Sequence, residues 1–139
     1  MRRFVTMALA MGAVFAMALA TAGPAAAAGH HRWQSHGLTG VNAWGNWHGG
    51  HYHGHKTRVV LAHIKDTRAD GHLAGLKVAF TRKGHKTDRY KLWNPHGAHT
   101  TARVKIQSYN KGHLYIRECK GHNKKKFHIT NCGKWRKYT

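Results

Sequence analysis

A chain of 139 residues with 24 Lys and Arg, 4 Asp and Glu and 15 His carries a formal charge of +20, a balance that favours anionic partners. Its four carboxylates leave little material for a paired-carboxylate glycosidase. No G-x-S-x-G, H-E-x-x-H or Gly-rich phosphate loop occurs, so the expectation is a protein that binds rather than an enzyme.

Residues 1–28 read as a secretory signal. Arg2 and Arg3 precede an apolar run from Phe4 to about Ala20, followed by Gly23, Pro24 and the small-residue stretch Ala25 to Ala28, the pattern of an n-region, an h-region and an A-x-A cleavage site. The run nearly reaches spanning length, so an uncleaved anchor is the alternative. No second apolar run follows, and the expected product is a secreted, extracellular chain that starts at Gly29 and has no transmembrane segment. Loss of Arg2 and Arg3 leaves 22 Lys and Arg against 4 acids, a formal +18.

Residues 29–57 are Gly, His, Trp and Asn with almost no aliphatic side chains, a composition read as a flexible arm with no core of its own. Seven of the histidines lie here: His30, His31, His36, His48, His51, His53 and His55. Imidazoles at such spacings on a flexible loop can wrap Cu(II), Ni(II) or Zn(II). The new terminus Gly29-His30-His31 offers an amine, amides and an imidazole for a square-planar Cu(II) or Ni(II) set. The candidate metal ligands are therefore Gly29, His30, His31, His48, His51, His53 and His55, with no cofactor required. Trp33, Trp44, Trp47 and Tyr52 either fold back over Val59 and Leu61 or anchor an extracellular protein partner.

Period-two alternation begins after Arg58. Val59 to Ile64 is apolar on both sides and is either central or covered by the arm. Leu76, Val78 and Phe80 alternate with polar or small residues, as do Tyr90 and Leu92, then Ala102, Val104 and Ile106, and then Leu114 and Ile116; Phe127 and Ile129 end the series. Asp70-Gly71, Lys83-Gly84, Asn94-Pro95-His96-Gly97, Asn110-Lys111-Gly112 and Gly121-His122-Asn123 supply turns between the runs. Residues 58–139 are thus expected to form an all-β antiparallel sandwich or small barrel of six to seven strands.

Two cysteines allow one pairing, Cys119 with Cys132, and export favours its oxidation. Such a bridge is worth on the order of 3 kcal/mol. Strand parity places Cys119 opposite Leu114 and Ile116, and Cys132 opposite Phe127 and Ile129. The wet strand faces carry Lys77, Arg89, Lys91, Arg103, Lys105 and Arg117. A second group, Lys120, Lys124, Lys125, Lys126, Lys134, Arg136 and Lys137, forms the candidate anion-binding cluster for cell-wall or other polyanions. No motif for sequence-specific nucleic-acid readout is present.

The segment Asp66-Thr67-Arg68-Ala69-Asp70-Gly71, then Leu92-Trp93-Asn94 with Gly97, and Leu114-Tyr115-Ile116-Arg117-Glu118-Cys119 closing on Asn131-Cys132-Gly133-Lys134-Trp135, resembles small secreted actinobacterial β-sandwich proteins of largely unassigned function. Some proteins of that look are adaptor subunits of toxin particles that use an N-terminal extension to hold another subunit. The resemblance implies a secreted binding or adaptor module. Extracellular metal binding and cationic antimicrobial action are the competing expectations.

Overall fold

The computed structural model describes residues 29–35 and 37–139. The proposed leader 1–28 and His36 lie outside the described residues. Nine strands follow in chain order: β1 His31–Ser35, β2 Val41–Tyr52, β3 His55–Asp66, β4 Leu73–Thr81, β5 Asp88–Trp93, β6 Thr101–Ser108, β7 His113–His122, β8 His128–Cys132 and β9 Arg136–Lys137. A first sheet runs β1-β2-β3-β6, and a second runs β5-β4-β7-β8 with β9 also pairing β7. All the pairings are antiparallel, which makes the domain an antiparallel β-sandwich.

Alternation decides what lies between the sheets. Val60, Ala62 and Ile64 of β3 meet Leu76, Val78 and Phe80 of β4 and Leu114 and Ile116 of β7, and all eight are fully buried. The six strands expected after Arg58 are β3 to β8. Val59 to Ile64 is central, with β2 on one side and β6 on the other.

The flexible arm is corrected: residues 29–57 supply β1, β2 and the start of β3. Their aliphatic poverty is offset in two ways. Twelve residues of β2 register against β3, so their backbone groups are paired on an apolar strand. Trp33, 4% exposed, brings a large apolar surface into the core. Gly45 makes this close approach feasible, since a Cβ there would fall 1.9 Å from the Leu61 carbonyl oxygen. The β2–β3 connection turns on His53 and Gly54, both at positive φ (47° and 77°), as a two-residue type I′ hairpin requires.

Two polar joints tie the sheets together. Asn94, fully buried after β5, donates from Nδ2 to the carbonyl oxygens of Ile64 (3.2 Å) and Thr100 (2.8 Å), and its Oδ1 accepts from the His96 amide. At the other joint, Tyr138 packs edge-on against Trp33 and donates its hydroxyl to the Gln34 carbonyl (2.8 Å), while its amide donates to Leu114. Burial raises the pKa of this phenol.

The Cys119–Cys132 disulfide is formed. Cys119 points away from the main core, as parity requires, but it is buried in a second small cluster with Leu73 and Phe127, flanked by Trp93, Ile129 and Cys132. Phe127 covers the outward side of β4 and β7 where Gly75 and Gly121 leave space, and Trp93 stacks on it at 5.8 Å. The parity placing Cys132 opposite Ile129 is corrected by a bulge. Lys120 pairs Asn131 while Gly121 pairs Ile129, so Thr130 is an extra residue that returns both side chains to one face.

Candidate functional site

The outward face of the first sheet follows from its registers. Because Ala43, Val60, Ala62 and Ile64 point inward, their neighbours in sequence point out. The cross-strand rows are Gln34–Trp44–His63–Arg103, Arg32–Asn46–Leu61–Lys105 and His48–Val59–Gln107. Trp44 and His63 stack at 5.4 Å with 9° between planes, and His30 stacks on His48 at 4.2 Å. A shallow depression of about 700 Å³ lies beside Trp44, lined by Arg32, Gln34, Asn42, Asn46 and His63 among others. At the hairpin end, Tyr52 and Tyr109 are 50% and 56% exposed and lie edge to face, with His55 against Tyr109.

Hydrogen-bonding capacity on this face is not used up within the fold. Asn42 Oδ1, Asn46 Oδ1, His48 Nδ1 and His63 Nδ1 are buried atoms without a hydrogen-bond partner in the protein. Burial, then the nearby His30 and Lys105, hold the His48 pKa below the ordinary histidine value.

The electrostatics are one-sided because the acids are engaged elsewhere. Asp66 is 1% exposed and accepts from the Arg68 amide at 3.1 Å. Glu118 is 3% exposed and accepts from the Leu38 amide at 2.7 Å. Asp88 accepts from the Ser108 hydroxyl. Asp70 pairs with Lys120 at 2.9 Å and accepts from the His72 amide, which pulls its pKa down to about 2. Among the described residues, no carboxylate stands in the outward rows of the first sheet.

The candidate metal ligands are dispersed. His30 meets His48, but His31 stacks on Trp47 on the inward side. His51, His53 and His55 lie in a strand end, a turn and the next strand, so alternation turns His51 away from the face that carries His55. Among the described residues, no group of three or more His, Cys, Asp or Glu is placed to hold a metal ion. The flexible loop expected there is instead paired backbone.

The four aromatic candidates divide. Trp33 is used in the core, and Trp47 packs against it with the Arg58 guanidinium 4.6 Å above its ring. Trp44 and Tyr52 face outward. The anion-binding candidates belong to the second sheet: Lys124, Lys125 and Lys126 are exposed between β7 and β8, Lys134, Arg136 and Lys137 are exposed near the C-terminus, and Lys120 is held by Asp70.

Sequence reasoning missed Arg32, Gln34, Asn42, Asn46 and His63. The available signal was the alternation Val41-Asn42-Ala43-Trp44, which marks a half-buried strand. Among the described residues, no helix is long and apolar enough to cross a membrane. Comparison with family models, curated proteins and solved structures finds no match.

Proposed function

We propose that this chain is a non-enzymatic, exported binding module that holds anionic polymers, of the cell wall or elsewhere, on its basic surface. The observation that carries the reading is that all four carboxylates are buried, paired or hydrogen-bonded within the fold, whereas exposed Lys and Arg occur on both sheets. Cations left unopposed in this way bind polyanions by counterion release, and the logarithm of the affinity falls linearly with log salt. The disulfide supports an oxidising compartment.

Retention of the mature chain on heparin resin, measured from 50 to 500 mM salt against a neutral matrix, tests the reading. Strong retention at low salt with a steep log–log slope is expected. Retention no greater than on the neutral matrix at low salt would refute it. Exposed Tyr52 and Tyr109 at the hairpin end are the part of this surface suited to an extracellular protein partner.

A further inference from the structure

We infer that the outward face of the first sheet is a track for a single chain of acidic polysaccharide, with a sugar ring on Trp44 and its acidic groups on Arg32, Arg103 and Lys105. The inference rests on the polyanion reading and names the site and ligand class within it.

The face is long and linear. Trp44 and Tyr52 both point outward on β2, eight residues apart, which at about 3.4 Å per residue is roughly 27 Å of strand. Tyr52 and Tyr109 form an aromatic pair at the far end. Between the two stations the outward positions are Asn46, His48 and Gly50; His30 stacks on His48, and at Gly50 a Cβ would already crowd Val59 and Thr57, so the floor is low beside Tyr52.

The cations gather at the Trp44 end: Arg103 stands in the Trp44 row, and Arg32 and Lys105 stand at the two ends of the Asn46 row. Arg103 and Lys105 are exposed on β6 and Arg32 on β1, and Asn46 stands between Arg32 and Leu61. Arg forks match carboxylate, sulfate or phosphate oxygens, amides match hydroxyls in both donor and acceptor roles, and an indole face matches an apolar ring surface. An acidic polyol uses all three. Single-stranded nucleic acid uses them less well, because it needs a run of large rings for successive bases, and here the indole and phenol rings are confined to the two ends.

The test measures binding of polygalacturonate, dextran and poly(dT) to the mature chain at 150 mM salt, by calorimetry and by Trp fluorescence. The variants are Trp44→Ala, Trp44→Phe, Arg103→Ala with Lys105→Ala, the loop triple Lys124→Ala, Lys125→Ala, Lys126→Ala, and Trp135→Ala as an exposed tryptophan off the track. The wild type should bind polygalacturonate, bind dextran far less, and prefer the uronate to poly(dT). Trp44→Ala should weaken binding about tenfold, the usual effect of removing an aromatic anchor, Trp44→Phe should restore most of it, and Trp135→Ala should leave it unchanged.

Arg103 and Lys105 are exposed, so their double variant reports on the track even if Trp44→Ala perturbs folding. If the wild type retains polyanion binding but only the loop triple weakens it, the track is wrong and the broader reading stands. Tighter binding of poly(dT) than of the uronate would overturn the polysaccharide assignment. Loss of binding to every polyanion would overturn both.

Discussion

The second sheet turns outward a face that the chain itself covers at one end: Phe127 lies over Gly75 and Gly121, Trp93 stacks on Phe127, and the Cys119–Cys132 bridge closes the cluster. The first sheet turns outward Trp44, His63, His48, Arg103 and Lys105, side chains that remain partly or fully accessible. Part of one outward face is thus packed as a small core and anchored by a covalent link, with Arg89 and Lys91 exposed beyond it, and the other keeps rings, amides and charges available. The contrast teaches that the aromatic residues of this chain have two physical uses, and that register decides which. Trp33 and Trp44 are eleven residues apart on adjacent strands, yet one is 4% exposed in the core and the other stacks on an outward histidine.

Breaking the covered face should have the largest effect on stability. Phe127→Ala should cost about 3 to 5 kcal/mol, because it removes a buried ring from above two glycines that cannot fill the void. Replacing both cysteines by alanine should cost on the order of 3 kcal/mol. Urea unfolding monitored by circular dichroism measures each loss.

Asn94→Ala comes next, since it leaves the Ile64 and Thr100 carbonyls and the His96 amide without their side-chain partner. About 2 to 3 kcal/mol is expected for such a buried polar group, read from the same unfolding curves. Trp44→Ala should then cost no more than about 1 kcal/mol, as surface positions usually do. A loss as large as that of Phe127→Ala would mean that the two outward faces are used alike.

The smallest effect concerns acid stability. The folded pKa of Asp70, about 2, lies below its ordinary value of 3.8. Its contribution is therefore fully present above pH 3.8 and is lost as pH falls through about 2, because only then does the folded state take up the proton that the unfolded state already holds. Asp70→Asn should remove that contribution at pH 7, a small loss because the pair with Lys120 lies at the surface, and should flatten the stability curve between those limits, so that variant and wild type converge in acid.

Much of the scaffold was legible in the residues. Alternation of Leu76, Val78 and Phe80 with their neighbours placed β4, and the same pattern placed Ala102 to Ile106 and Leu114 to Ile116; two cysteines allowed one bridge. Thr130 was not legible as a bulge, because an extra residue in one strand changes parity without altering composition. The candidate face was hidden for a related reason. Judging residues 29–57 by their scarcity of aliphatics ignored the apolar area of Trp33 and the pairing that an apolar β3 offers to any neighbouring strand. His63 escaped notice because Val59 and Leu61, on the same outward side of β3, made that side look like core.

Amide chemical-shift mapping of isotope-labelled residues 29–139, titrated with a short oligogalacturonate, probes the open face most directly. Shifts should concentrate on Arg32, Asn46, His63, Arg103 and Lys105 and on the Trp44 indole proton, leaving Trp135 unmoved. Shifts confined to Lys124–Lys126 and Lys134–Lys137, with the Trp44 indole unmoved, would contradict it.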